Sequence, residues 1–290
     1  MKNKIVIAGG TGFIGNYLKE KYSELGYEVI IISRSSGKGK VSWKDTSKLI
    51  NTLNNTKLLI NLSGKSVDCR YTYKNKWKVL TSRTWTTLRL HEIMEQCEHP
   101  PQKWINSSTA TIYRHAEDRP MTEVNGEPGT GFSVHVAKTW EATFFSQSHE
   151  NVEQIALRTA IVLGDGSAFI PLKILAKLGF GGPQADGKQK FSWIHIEDLY
   201  RIIRHIEDSA TSKQIYNCSS PNPSDNNHLM KLVREYHGRK WYIPIPTFLL
   251  KIGAFFIRTE TELVLKSRWV VPENLKKEEF EFKYRNLKEA

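Results

Sequence analysis

Ile5-Val6-Ile7-Ala8-Gly9-Gly10-Thr11-Gly12-Phe13-Ile14-Gly15 decides how this 290-residue chain folds. Residues 5–8 form an apolar run short enough for a buried strand, and the glycines behind it allow a turn that opens directly into a helix. Ile14, Leu18, Tyr22 and Leu25 recur on one helical face, Gly26 stops the helix, and Val29-Ile30-Ile31-Ile32 reads as a second strand. In this context Gly9 permits the tight turn, Gly12 admits a pyrophosphate, and Gly15 lets the helix pack on the strand. The helix N-terminus then faces the anion. A Walker-type phosphate loop is excluded, because no Gly-Lys-Ser/Thr follows.

The end of the second strand bears on which dinucleotide fits. A site for NAD uses a carboxylate about 20 residues past the turn for the ribose 2′-hydroxyl, whereas a 2′-phosphate calls for a cation. Here Ser33-Arg34-Ser35-Ser36 stands in place, with no carboxylate between Glu28 and Asp45. The planar fork of Arg34 suits a phosphate. NADP(H) is therefore expected over NAD(H), the alternative being that Arg34 is a solvated loop residue.

From this start, strand-like and helix-like segments alternate along the chain, predicting an α/β fold of the Rossmann type: a doubly wound parallel sheet with a small C-terminal α/β substrate lobe. Further strands are read at 41–43, 58–62, 103–107 and 154–158, with helices near 45–53, 74–96, 132–148, 224–237 and 247–257. Beyond Leu163, glycines at 164, 166, 179, 181, 182 and 187 suggest binding loops. The expected division is 1–163 for the nucleotide-binding domain and 164–290 for a mixed region that completes the sheet and forms the lobe, with a C-terminal unit from about 221.

Composition excludes several classes. The net charge is +12, and residues 38–103 alone carry 13 Lys or Arg against 5 Asp or Glu. Attraction of an anionic cofactor or substrate accounts for that excess, and no nucleic-acid-binding signature accompanies it. No apolar stretch approaches the roughly 18 residues of a membrane span; Phe248 to Ile257 is short and interrupted by Lys251. Cys69, Cys97 and Cys218 form neither a disulfide framework nor a metal motif, and no signal peptide is read, so a cytoplasmic location is expected.

Several ordered segments together resemble the extended short-chain dehydrogenase/reductases, more narrowly their atypical epimerase-family branch, which ends in a C-terminal domain of unknown function. Besides the glycine turn, they include Asn61-Leu62-Ser63-Gly64, Arg70-Tyr71-Thr72, Trp140-Glu141, Trp193-Ile194-His195-Ile196-Glu197-Asp198 and Phe280-Glu281-Phe282. The resemblance implies cofactor contacts at Gly9, Thr11, Gly12, Phe13, Ile14, Gly15, Ser33, Arg34, Leu62, Ser63, Gly64, Arg83, Ser107 and Val162, and a small-molecule substrate. It also places Thr109 at the Ser/Thr position that holds a substrate hydroxyl.

The usual Tyr-x-x-x-Lys pair of these enzymes, in which the lysine lowers the tyrosine pKa for proton exchange, does not follow. Its positions are filled by Val134 and Lys138, or in the other alignment by Ser133 and Ala137, and no tyrosine occurs between Tyr113 and Tyr200. Tyr113, His135 and Glu123 are then the nearest candidate proton donors, with Thr109 and Tyr113 the catalytic assignment. His195 and Asp198 are read as structural, Asp198 capping a helix. Arg114 and His115 replace an aromatic and a glycine of that branch and are expected to alter the substrate pocket. The expected function is an NADP(H)-dependent oxidoreductase or epimerase-like activity, the alternative a catalytically silent NADP(H)-binding sensor or scaffold.

Overall fold

The computed structural model describes residues 4–165, 181–183, 186–209, 213–238, 242 and 266–290. The helix expected at 247–257 and most of the glycine-rich stretch after Leu163 lie outside these residues. Strand β1 (Lys4–Ala8) leads through the glycine turn into helix α1 (Phe13–Glu24), followed by β2 (Glu28–Ser33), β3 (Lys40–Ser42), α2 (Thr46–Leu53), β4 (Leu58–Asn61) and α3 (Tyr73–Met94). Next come β5 (Lys103–Thr109), a 3₁₀ turn at Ala110–Ile112, α4 (Phe132–Phe144), β6 (Glu153–Thr159) and β7 (Ile161–Leu163). The remainder comprises β8 (Lys190–Phe191), β9 (Trp193–His195), α5 (Ile196–Asp208), β10 (Ile215–Cys218), β11 (Ser224–Asp225), α6 (Asn226–Tyr236) and α7 (Glu273–Lys277).

Seven strands form one sheet in the order β10-β6-β5-β4-β1-β2-β3, every pairing parallel. The order runs away from β1 in both directions, so the connections switch sides between β1 and β4. A crevice opens there at the carboxyl ends of the strands, where open α/β sheets bind ligands. Parallel strands buried on both faces carry continuous apolar runs. Ile5, Ile7 and Ile60 pack on Leu18 of α1 and Ile202 of α5, while Val6, Ala8 and Leu59 pack toward α2 and α3 on the other face.

The described elements that the sequence predicts have the expected types and differ at their ends, while strands β7 to β11 and helix α7 are not among them. Leu25, read as part of the buried face of α1, is its C-cap and 54% exposed. Helix α4 stops at Phe144 rather than Ser148, its last turn closed by Phe145 N–H to Glu141 O at 3.0 Å. Strand β5 runs two residues further than read, to Thr109, because β6 pairs with it as far as Thr159. Strand β10 escaped the reading altogether. It is a four-residue edge element that takes its register from β6 through Ile215 opposite Ala156.

The C-terminal segment is tied across this sheet. Asn217 Nδ2 donates to Val271 O at 3.1 Å, and Asn274 Nδ2 to Ile215 O at 2.8 Å. The Asp198 carboxylate accepts the N–H groups of Lys283 and Tyr284 at 2.9 and 2.8 Å. Asp198 is therefore a buried clamp for the chain end. The cap expected of it on α5 is supplied instead by His195, whose Nδ1 accepts Glu197 N–H at 3.2 Å.

Candidate functional site

The glycine turn and the end of β4 meet at the crevice. Gly9 has φ +76°, a left-handed conformation that an L side chain rarely adopts. A Cβ there would lie 2.7 Å from Ser63 Cα. Gly15 is held against the turn itself rather than the strand: its Cβ would stand 2.6 Å from Gly10 C. Gly12 differs from both. It is the N-cap residue of α1, without a side-chain cap, and a Cβ on it would meet no atom of the described residues within 4 Å. The N-termini of α2, α3 and α6 are capped by Asp45, Thr72 and Asp225, whereas α4 starts, like α1, at an uncapped glycine, Gly131. The first turn of α1 thus presents N–H groups and a positive dipole end to open space, as an anion site requires. Thr11 is exposed beside it, Ile14 packs against the core, and Phe13 reaches toward Gly164, where a Cβ would be 3.3 Å from its ring.

Across the crevice, Asn61 at the end of β4 is fully buried. Its Nδ2 donates to Asn106 Oδ1 at 2.7 Å and to Thr87 Oγ1 at 3.2 Å, and its Oδ1 accepts Ser63 N–H at 3.1 Å. Leu62 N–H continues the β1 pairing by donating to Ala8 O at 2.8 Å. These bonds fix the residues that follow, and Ser63 is left 5% exposed with no partner for its Oγ among the described residues. A buried hydroxyl without a partner costs on the order of 1–3 kcal/mol, which a ligand hydrogen bond would recover.

Arg83 on α3 underlies the next residue. A Cβ on Gly64 would lie 3.0 Å from Arg83 Cζ, so a side chain there would press on the guanidinium and require it to shift. Arg83 Nη1 donates to Lys65 O and Val79 O at 3.0 and 2.9 Å, and Cζ sits 5.1 Å from the centre of the Trp140 ring. Burial pulls this guanidinium down to about 10, so it stays cationic at neutral pH. At the far end of the crevice Arg34 is exposed just past β2, while Ser33 beside it is buried and donates to Ser35 O at 2.6 Å.

The strand β5 end behaves differently from its reading. Thr109 Oγ1 accepts Thr111 N–H at 3.1 Å, which leaves the hydroxyl proton to point elsewhere, and Ser107 is half-buried beside it. Tyr113 is 2% exposed, and its hydroxyl donates to Asn217 Oδ1 at 2.9 Å while accepting from Arg158 Nη1 at 2.9 Å. Burial raises its pKa, against the lowering effect of Arg158. Arg158 in turn grips Glu141 through Nε and Nη2 at 2.9 and 2.7 Å, and Glu141 accepts from Ser108 Oγ. This buried network locks α4 to β5 and β6, and it consumes the Tyr113 hydroxyl. A proton donor for substrate is thus not what the packing makes of Tyr113.

Glu123 is consumed as well. It accepts the N–H groups of Asn217 and Glu273 at 2.8 and 3.0 Å, and burial raises its pKa against those bonds. His135 is exposed on α4; Val134 is buried and Lys138 is exposed. Arg114 is held by acidic side chains. It turns outward to Asp118 and Glu127 at 2.7 Å each, because two surface carboxylates are within its reach. His115 is likewise exposed, with Nδ1 accepting Ser267 N–H at 3.1 Å. Asn61 and Trp140 were given no role by sequence reasoning. Their signal was present in the segments Asn61-Leu62-Ser63-Gly64 and Trp140-Glu141, but a role needs the partner across the fold.

Comparison with known proteins agrees with this geometry. The sequence profile of the NAD dependent epimerase/dehydratase family matches residues 5–219, which include every strand of the seven-stranded sheet but the first residue of β1. The chain belongs to that family. Residues 245–290 match a second profile, that of a domain of unknown function (DUF1731). The epimerase family protein YfhF of Bacillus subtilis is 29% identical over 99% of this chain and 96% of its own length. The crystal structure of the human epimerase family protein SDR39U1, solved with NADPH, superposes with a TM-score of 0.88 at 27% identity, covering 99% of this chain and 97% of that one. A nucleoside-diphosphate sugar epimerase of Corynebacterium glutamicum gives a TM-score of 0.77 at 26% identity, covering 99% of this chain and 57% of that one. The described fold is thus the Rossmann-type sheet of this family, with Val162 on β7 packed against the core near the turn.

Proposed function

We propose that this chain binds NADP(H) across the β1–β4 crevice and uses it to act on a small molecule. The observation that carries the reading is the cradle itself: an uncapped α1 N-terminus open at Gly12, on a turn whose Gly9 packs against Ser63, a buried hydroxyl with no partner among the described residues. In this reading Gly9 to Gly15 hold the pyrophosphate, Arg34 and Ser33 the 2′-phosphate, and Arg83, Ser63 and Gly64 the cofactor's inner side. The solved relative with NADPH supports the choice of cofactor. Bound NADP(H) would supply or accept a hydride at its nicotinamide.

In this reading Thr109 touches the substrate, supported by a hydroxyl that accepts Thr111 N–H and retains its own proton to donate. Residues 1–163 form the nucleotide-binding part and residues 164–290 the substrate side, with β10 lent back to the sheet. A cytoplasmic location fits three cysteines that are all free. The test has two arms. NADPH and NADH are titrated by fluorescence, and carbonyl and sugar-nucleotide compounds are then screened for oxidation of NADPH. Preferential NADPH binding with turnover supports the reading; no binding of either nucleotide overturns it.

One observation favours a second reading, a silent NADP(H)-binding sensor. The helix positions of the usual tyrosine and lysine hold Val134 and Lys138 or Ser133 and Ala137, and the hydroxyl of Tyr113 is spent in the core. NADPH binding without hydride transfer to any screened compound supports this reading, and one substrate-dependent turnover disposes of it.

A further inference from the structure

The C-terminal segment crosses the start of α5 at a cluster of titratable side chains that the proposed reaction does not use. His195, the N-cap residue of α5, accepts Glu197 N–H at Nδ1, so its neutral ring carries the proton on Nε2. The same ring lies against Tyr284, with centroids 3.7 Å apart and planes inclined by 31°. Three residues on, the buried Asp198 carboxylate accepts Lys283 N–H and Tyr284 N–H, and it also receives Arg201 Nη1 at 3.3 Å. Past Tyr284, Ser220 Oγ donates to Arg285 O at 2.8 Å, and Leu287 packs with Trp193 and Leu163. His195 and Asp198 thus hold residues 283–287 across the helix start.

A charge on His195 works against this arrangement. Protonated Nδ1 has no lone pair for Glu197 N–H, and a cation at a helix N-terminus opposes the helix dipole. Lys283, whose ammonium sits 5.4 Å from the centre of the Tyr284 ring, faces His195 with a second positive charge. Asp198 and Glu197 of α5 and Asp165 after β7 pull the other way. Arg201 offsets Asp198, and Glu197 accepts from Tyr17 of α1, with Lys21 of α1 also in its field. Burial is the largest influence on the ring and holds it below its ordinary 6.5. Because the folded ring has the lower pKa, its grip is complete above pH 6.5 and is lost as the pH falls through the folded value.

The same helix start touches the cofactor cradle. A Cβ on Gly164 would lie 2.8 Å from Ile196 Cγ2 and 3.3 Å from Phe13 Cζ, so Gly164 is wedged between the first residues of α5 and α1. Tyr17, one turn into α1, donates to Glu197. A shift at the start of α5 is therefore felt at the turn whose N–H groups face the proposed pyrophosphate.

We infer that residues 283–287 form a strap that His195 holds closed only while it is uncharged, and that strap closure and NADP(H) binding at α1 reinforce one another. The second half rests on the NADP(H) reading above and adds its regulation: mild acid opens the strap and lowers cofactor affinity. Such coupling is reciprocal, so bound NADP(H) also steadies the strap.

The experiment follows amide exchange of Lys283 and Tyr284 by NMR in cofactor-free protein between about pH 5 and 8, normalised to the intrinsic rate at each pH. Wild type is compared with His195→Asn, which keeps a capping side chain that does not titrate, and with Lys283→Gln at an exposed position. Opening of the two amides should rise about fivefold or more toward acid in wild type, the lower end of a typical coupling, and stay level in His195→Asn. In Lys283→Gln the rise should begin at higher pH, because a charge that opposes protonation is gone. Identical profiles in wild type and His195→Asn overturn the strap; should His195→Asn not fold, an unmoved onset in Lys283→Gln overturns it instead. NADPH is then titrated by fluorescence over the same range. Its affinity for wild type relative to His195→Asn should fall about fivefold toward acid, a ratio that cancels titration of the nucleotide's own 2′-phosphate near about pH 6. A constant ratio overturns the coupling. If NADPH binds at no pH, the cofactor reading falls and the coupling with it, while the exchange profiles of cofactor-free protein still decide the strap.

Discussion

Alanine at Gly12 and at Gly15 should separate the two uses of glycine in one turn. At Gly15 the added Cβ would stand 2.6 Å from Gly10 C, against backbone that has no rotamer to change. Helix α1 must shift, and overpacking of this kind costs about 1–3 kcal/mol. For a domain of this size that is a fall of roughly 2–8 °C in unfolding temperature. At Gly12 the added Cβ meets no atom of the described residues within 4 Å, and φ is −88°, so alanine fits the backbone. Its effect on stability should stay within about 0.5 kcal/mol. The methyl would instead occupy the space in front of the α1 N-terminus, where a pyrophosphate must come close. Circular dichroism melts and NADPH fluorescence titrations on the two variants give the check. Gly15→Ala should melt lower, whereas Gly12→Ala should melt like wild type and bind NADPH at least tenfold more weakly, a loss of about 1.4 kcal/mol. A Gly12→Ala protein with wild-type NADPH affinity would refute the placement of the cofactor at this helix end.

Three further outcomes are expected. Arg34→Ala should weaken NADPH by about 1.5–3 kcal/mol, the value of a charge-assisted hydrogen bond, and leave NADH nearly unchanged in parallel titrations; equal losses would show that Arg34 does not read the 2′-phosphate. Arg158→Met strands the buried Glu141 carboxylate and should cost about 3–5 kcal/mol in urea unfolding, a value near zero arguing that the network is not sealed from water. His91 donates from Nε2 to Phe144 O at 3.1 Å and accepts at Nδ1 from His149 at 2.7 Å, and burial depresses it from 6.5 to about 4. Its folded pKa is the lower one, so its contribution is complete above pH 6.5 and is lost as the pH falls toward 4, by roughly 3 kcal/mol. Urea unfolding of wild type and His91→Phe between pH 4 and 8 checks this. The variant's profile should be flatter over that window, and parallel profiles would remove His91 as the cause.

Much of the site was legible because its chemistry is local. The apolar run, the three glycines and the helical period lie within some 20 residues, and so do the backbone contacts that make the turn, such as Gly15 on Gly10. Arg34 could be read for the same reason, since a strand end places its next residue without help from elsewhere. Tyr113 shows where such reading stops. Its neighbours in sequence made it a candidate acid, but its hydroxyl is claimed by Asn217, 104 positions away, and by Arg158 from β6. The outward turn of Arg114 has a similar origin, because Asp118 and Glu127 become neighbours only once the loop has closed. Glu123 is spent on backbone N–H groups 94 and 150 positions away.

Sequence by itself thus determined the strand-turn-helix, the parallel sheet and a cation in place of the carboxylate that an NAD site uses, all properties of hydrophobic period and backbone sterics over short spans. Tertiary structure alone decided that Ser63 is buried without a partner among the described residues, that Arg83 lies beneath Gly64, and that Lys190 is zipped to residues 266–268 beside Thr111. The physical reason is that a side chain's partners, exposure and charge environment are set by packing between segments far apart in the chain. Those distances carry no period to read.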